Sequence, residues 1–203
     1  PSGEIEPRHA LILFFVLLLL ALGLVLATNS LTVRLAIVGT LLAACYPFLK
    51  RVTHLPQLGL GVAWAWAIPM AFAAEQQALP DTLWLIVVAI ICWTVAFDTY
   101  YAMVDRDDDL KTGIKSTAIL FGQYDLVIVA GLQFMMLLFL VMVGHYFDRG
   151  WIYMVGLVLA AGYFIQQHLH ARGRNKENCF RAFLNNHRVG MVIFIALALD
   201  YRL

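Results

Sequence analysis

Apolar residues in this chain fall in runs of about twenty, the length that crosses the hydrocarbon core of a bilayer. Seven such runs can be marked, at roughly 10–27, 31–49, 57–74, 82–104, 125–144, 151–171 and 185–203. A backbone segment inside lipid must satisfy its hydrogen bonds within itself, so each run is expected to be a helix. Of the 203 residues, 62% are hydrophobic and 13% charged. An ordinary soluble domain carries about a quarter charged residues. The expectation is an all-α, polytopic membrane bundle with seven transmembrane helices, forming a single domain over 1–203. The first run is too long for the apolar core of a signal peptide, and Glu4 and Glu6 precede it, so it too reads as a spanning helix. The seventh is the weakest, because its clean apolar part, Val189 to Leu199, is short and Asp200 follows. Pro69 lies inside the third run, with Gly59 and Gly61 near its start. A kink that opens a cavity is expected there.

The basic residues sort by side of the membrane. Arg8, Lys50, Arg51, Arg106, Lys111, Lys115, Arg172, Arg174, Lys176, Arg181 and Arg188 fall on one side, and Arg34, Arg149 and Arg202 on the other. The positive-inside rule then puts the amino terminus in the cytoplasm and the carboxyl terminus outside. The run from Arg172 to Arg188, interleaved with Phe180, Phe183 and His187, is an orientation signal and a contact for lipid head groups. A loop so closely tied to the membrane is no place for nucleic acid. Cys45, Cys92 and Cys179 show neither metal nor disulfide spacing and read as packing residues.

The densest chemistry follows the fourth run, in Phe97-Asp-Thr-Tyr-Tyr-Ala-Met-Val-Asp-Arg-Asp-Asp-Asp-Leu-Lys-Thr-Gly-Ile-Lys-Ser-Thr117. If this stretch stays helical, Asp98, Asp105 and Asp109 share one face, being seven and four residues apart. Like charges so placed repel, and a divalent cation held by oxygen ligands would offset the repulsion. A solvated acidic loop is the plain alternative. Against it, Asp98 lies within or at the edge of an apolar segment, where an ionisable group is costly. Arg106, Lys111 and Lys115 follow closely. Carboxylates alone suit Mg²⁺, which commonly bridges a few carboxylates to phosphate oxygens.

A second stretch, Tyr46-Pro-Phe-Leu-Lys-Arg-Val-Thr-His-Leu-Pro-Gln57, ends the second run on the same side as the Asp cluster. Lys50 and Arg51 are either simple orientation charges or partners for an anionic head group such as a diphosphate. His54 reads as a loop residue. Trp64, Trp66 and Phe72 either line a ring or isoprenoid pocket or pack against lipid and neighbouring helices.

Both stretches are similar to motifs of the UbiA-type membrane prenyltransferases, and within them to the 4-hydroxybenzoate polyprenyltransferases of ubiquinone synthesis. Tyr46 to Gln57 resembles the family's tyrosine-to-lysine motif, and Asp98 to Thr117 its second Asp-rich motif. Cys179-Phe-Arg-Ala-Phe-Leu-Asn-Asn186 is also similar, so the resemblance runs over essentially the whole chain. Family bundles have nine helices and a first motif, Asn-Asp-x-x-Asp-x-x-x-Asp, which is absent here. Pro1-Ser-Gly3 resembles the sequence just after that motif. The resemblance therefore implies an amino-terminally truncated fragment that lacks half of the metal site and is inactive alone.

What the resemblance implies for function is a Mg²⁺-dependent aryl prenyl transferase of the bacterial inner membrane, with its active-site loops in the cytoplasm. It would move a polyprenyl group from polyprenyl diphosphate to the ring carbon ortho to the hydroxyl of 4-hydroxybenzoate. Asp98, Asp105 and Asp109 are the implied metal ligands. Lys50, Arg51, Lys111 and Lys115 would bind the diphosphate, and Tyr46 and Asp105 would position substrate. Asp107, Asp108, Arg106 and Tyr101 are supporting candidates. Two alternatives stand beside this reading. One is a related transferase with another acceptor. The other is a seven-helix transporter or channel with an acidic ion site, which predicts charges near the bilayer midplane; Asp98, expected near a helix end, counts against it.

Overall fold

A computed structural model describes residues 5–202, all of whose regular elements are helices. Pro1-Ser-Gly3 and Glu4 lie outside the described residues. The helices are α1 (Pro7–Leu26), α2 (Ser30–Val52), α3 (Pro56–Ala65), α4 (Ala67–Gln76), α5 (Leu83–Thr112), α6 (Thr117–Phe121), α7 (Asp125–Tyr146), α8 (Trp151–Ala171), α9 (Lys176–Leu184) and α10 (Asn186–Asp200). A 3₁₀ turn, Gly122–Tyr124, joins α6 to α7. Taken together, α3 with α4, α6 with α7, and α9 with α10 make three spans, so among the described residues seven spans are long and apolar enough to cross a membrane.

The ends of these helices follow from local chemistry. The Asn29 side chain accepts from the Leu31 and Thr32 amides and so caps α2, while its Nδ2 donates to the Ala73 carbonyl at 2.6 Å. That one residue fastens the start of α2 to the end of α4. The expected break in the third span falls at Trp66. Pro69 has no N–H to offer the Ala65 carbonyl, and the helix divides into α3 and α4 just before it. Trp66 Nε1 reaches across to the Leu35 carbonyl at 2.9 Å. In the last span Asn186 Nδ2 folds back on the carbonyls of Ala182 and Phe183, and its Oδ1 accepts from Trp93 Nε1 at 2.9 Å.

The fourth span differs most from expectation. α5 does not end near residue 104 but continues through the acidic stretch to Thr112, where Gly113, at φ +72°, closes it in the left-handed conformation. Asp98 is therefore near the middle of a 30-residue helix, not at its end. At about 1.5 Å per residue the helix is about 45 Å long, well beyond a hydrocarbon core of about 30 Å.

α5 is the axis of the bundle. It packs on α3, α7 and α9, and Tyr100 and Ala96 on it are fully buried among Met103, Leu126, Val129, Ala171, Cys179 and Ala182. α8 and α10 pack closely at Gly156, where a Cβ would collide with that of Ala196. Loops gather in two groups. Lys115 N donates to the Lys50 carbonyl at 3.1 Å, and Lys176 approaches Asp107 and Asp108, so the strongly basic loops share one face. On the other face Asp200 accepts from the amides of Gly150 and Tyr153, and Arg149 lies 3.9 Å from the Tyr201 ring centre.

Candidate functional site

α5 carries Asp98, Asp105 and Asp109 on one stripe because the helix continues without interruption past all three. Asp98 and Asp105 are separated by about 10 Å along the axis, and Asp105 and Asp109 by about 6 Å. The end of α2 is fastened near this stripe by the bonds from Lys115 to the Lys50 and Val52 carbonyls. Lys50 lies within electrostatic reach of Asp98 and Asp109, and Tyr46 within that of Asp98. Pro47 within α2 leaves the helix unbroken as far as Val52.

Short bonds hold the two motifs together. Besides the Lys115–Lys50 backbone bond, Lys115 Nζ donates to the Val52 carbonyl at 3.1 Å. Gln57 Oε1, buried at the start of α3, accepts from the Thr117 amide at 3.1 Å. Thr117 Oγ1 in turn pairs with Thr99 Oγ1 at 2.8 Å. The loop after α5 is thereby stitched to α2, α3 and α5.

The other expected site residues are placed differently. Lys111 is largely exposed and donates to Asp108 at 3.2 Å. Asp107 and Asp108 are exposed and face Lys176 at 3.7 and 3.5 Å. Tyr101 packs at a tilt against Phe183 and Phe180, with ring centres at 5.1 and 6.4 Å. Arg106 turns away from the carboxylate stripe toward Asp125, the Ala118 carbonyl and the Gly122 carbonyl. Arg51 lies exposed in the last turn of α2, and His54 is an exposed loop residue. Of the tryptophans, Trp64 is mostly exposed, its ring 5.9 Å from Phe97, and Trp66 is spent on the Leu35 bond.

Among the described residues no three His, Cys, Asp or Glu side chains converge as a ready metal cluster. The donor chemistry nevertheless suits a hard cation. Carboxylates line one stripe, a cation of the protein faces them, and the buried Ser116 brings a hydroxyl close to Asp109. Such a donor set fits an ion shared between protein carboxylates, water and phosphate oxygens rather than one enclosed by protein alone.

A cavity of about 530 Å³ opens among α4, α5, α7 and α10, lined by Phe72, Trp93, Met136, Ile193 and Tyr201 among others and walled mainly by apolar groups. The kinked third span forms one side of it. It reaches Arg149 and Tyr201 on the face opposite the carboxylates.

Several structural partners in the site are not conspicuous in the sequence. Gln57 and Ser116 sit inside the two motifs but carry no charge. Asp125 and Arg174 meet at 2.8 Å although 49 residues separate them. The hydrogen bonds it donates to the Asp125 carboxylate hold the Arg174 guanidinium above its ordinary pKa.

Carboxylates and a lysine facing one another at one end of a multi-pass helical bundle, with an apolar cavity behind, define a membrane-embedded protein with a polar site at its surface. The chain belongs to the UbiA prenyltransferase family, whose pattern matches residues 1–197. It is 54% identical over 197 residues to a 4-hydroxybenzoate octaprenyltransferase of Pectobacterium atrosepticum, covering 97% of this chain and 69% of that protein. It is 53% identical over 200 residues to the protein of the same name in Photobacterium profundum, covering 98% and 70%. The fold is similar to that of a UbiA homolog from Aeropyrum pernix K1, with a TM-score of 0.83 at 24% identity, covering 98% of this chain and 75% of that one. Family membership favours a transferase over a transporter; the depth of Asp98, now mid-helix, does not by itself decide between them.

Proposed function

We propose that this chain is the main part of a polyprenyltransferase that prenylates 4-hydroxybenzoate, as the names of its relatives say of them, in the synthesis of ubiquinone. The observation that carries the reading is that the end of α2, with Tyr46 and Lys50, is fastened through Lys115 to the loop that follows the Asp98, Asp105 and Asp109 stripe of α5. A diphosphate is a multiply charged anion, and a Lys together with cation-holding carboxylates is what binds one.

In the reaction, the C–O bond between the prenyl C1 and the diphosphate breaks and the diphosphate departs with the electron pair. The allylic cation forms a C–C bond ortho to the phenol hydroxyl, and the ring then releases a proton. Lys50 and Arg51 would offset charge that grows on the departing diphosphate, and fixed charge aimed at developing charge lowers the barrier. Tyr46 would orient the substrate by a hydrogen bond. Asp98, Asp105 and Asp109 would hold Mg²⁺, which supplies Lewis-acid neutralisation of the leaving group when bound. The apolar surroundings keep water from the cation. The cavity behind α5 suits the prenyl tail, each buried CH₂ of which contributes about 0.8 kcal/mol.

The protein would lie in the bacterial inner membrane with its basic loops, and hence this site, toward the cytoplasm. The decisive experiment is Asp105→Ala in the complete protein, assayed in membranes with polyprenyl diphosphate, Mg²⁺ and 4-hydroxybenzoate. Transfer should fall by about a hundredfold to a thousandfold, the scale seen when transition-state charge loses its partner. Turnover at the wild-type rate would sink the assignment. Presenting other aromatic acids as acceptors separates this reading from that of a relative with a different acceptor.

A further inference from the structure

Asp125 is fully buried at the first turn of α7, and the reaction outlined above does not use it. Its carboxylate accepts from Arg106 Nη2, from Arg174 Nη2 at 2.8 Å and Nε at 3.1 Å, and from the Leu126 amide at 2.6 Å. Both guanidiniums carry further bonds. Arg106 donates to the Ala118 carbonyl at 2.8 Å and to that of Gly122 at 3.4 Å, and Arg174 to that of Gln123 at 2.9 Å. One carboxylate thus ties α5, α6, the 3₁₀ turn, α7 and the α8–α9 loop at a single point.

We propose that Asp125 is a positioning residue for the carboxylate stripe, setting through Arg106 and Arg174 the rotation and height of the projecting end of α5. Arg106 follows Asp105 directly, so fixing its stem fixes the direction in which Asp105 and Asp109 point. The α5 extension needs such a fastening. Beyond Met103 none of its residues is buried and, of its apolar residues, only Val104 packs on the core, so apolar packing does little to set its rotation. Arg174 holds φ at +52°, an unfavourable conformation for a residue with a Cβ, and such conformations persist where the surroundings over-determine them. A buried ion cluster gains little stability over apolar packing, whereas its bonds are directional. Asp125 touches none of the candidate substrate-binding groups, so it acts through its neighbours. The proposal rests on the reading of the stripe as a metal–diphosphate site.

The test uses the complete protein in detergent with Asp125→Asn and, as a gentler change, Arg174→Lys, which keeps the charge but loses the planar fork. Amide hydrogen exchange, Mn²⁺ binding followed by electron paramagnetic resonance, and steady-state kinetics are measured on each. In Asp125→Asn, exchange should quicken about tenfold in 104–112 and 117–126 while the other helices keep their protection. Mn²⁺ binding should weaken about tenfold, as when outer partners of metal ligands are lost. The kcat should fall about a hundredfold, the scale of a misplacement of roughly 1 Å, with KM for the aromatic acceptor unchanged. Arg174→Lys should move the same readouts in the same direction by less, and it decides the matter alone if Asp125→Asn does not accumulate. Wild-type Mn²⁺ affinity and kcat in a folded variant would overturn the proposal. So would faster exchange in every helix together with a raised acceptor KM, which is general loosening. If the wild-type protein transfers no prenyl group, the functional reading falls, and the exchange pattern still decides whether Asp125 holds the end of α5.

Discussion

α1 and α5 are both apolar enough to cross a membrane, yet their surroundings are opposite. α1, the most apolar of the spans, has no buried residue, and α2 buries only Thr32. α5 buries eleven residues from Leu83 to Met103. Apolarity therefore reports what a helix can enter, and burial reports what covers it. For α1 the apolar surface suits lipid tails, which are as apolar as leucine. For α5 the cover is protein, and the polar groups that matter lie on it or reach it. α2 belongs to both regions. Its middle is exposed, while its last turns bring Tyr46 and Lys50 to the α5 carboxylates.

The contrast predicts unequal responses to comparable changes. The largest is expected at the α2–α5 junction. Lys50→Met should lower kcat/KM for prenyl transfer about a hundredfold, since it removes one fixed charge facing the leaving group. Arg34→Met, which removes a charge bonded to Ser30 on the opposite face, should leave the rate unchanged. Equal losses from both would erase the distinction between the two ends of α2.

Packing provides the next test. Gly156→Leu forces a side chain into the α8–α10 contact and should cost about 1–3 kcal/mol, read as a lower melting temperature in detergent. Gly23→Leu on α1 meets nothing within 4 Å and should change stability by no more than about 0.5 kcal/mol. A large effect at Gly23 would mean that α1 is covered by something more demanding than lipid.

Smaller still is the loss of a single interhelical bond. Asn186→Ala leaves Trp93 Nε1 without its acceptor and uncaps the fold-back onto Ala182, for about 1 kcal/mol. Trp93→Phe made on top of it should add little beyond the loss of ring volume if the two act as one bond. The smallest response belongs to the exposed rim. Lys176→Ala breaks contacts of 3.5 and 3.7 Å between exposed groups, and neither melting temperature nor turnover should shift measurably.

Some features were legible because their causes are local. The spans, the sharing of one face by the basic loops, the break near Pro69 and the common stripe of Asp98, Asp105 and Asp109 all follow from hydropathy and helical period. The length of α5 was harder to read. Asp105 to Asp109 have the composition of a loop, and the helix continues because Arg106 and Lys111 find partners and Gly113 supplies a stop. Within that stretch, composition did not separate Lys111, turned to Asp108, from Lys115, fastened to α2.

By itself the sequence determined that the chain is a helical membrane protein and that its cluster of five Asp lies on one side with most of its bases. Transfer of apolar side chains from water and the need to pair every backbone N–H act residue by residue, so they are written in the order of residues. Only the tertiary structure decided which acid met which base. Arg106 and Arg174 were two basic residues among many until packing brought both to Asp125, 19 and 49 residues away. Nothing in the local pattern distinguishes such a pair from a solvated charge, because its partner is chosen by how α5, α7 and α8 pack. The same holds for Lys50 and Asp98, whose helices are linked through Lys115, bonded to the Lys50 and Val52 carbonyls.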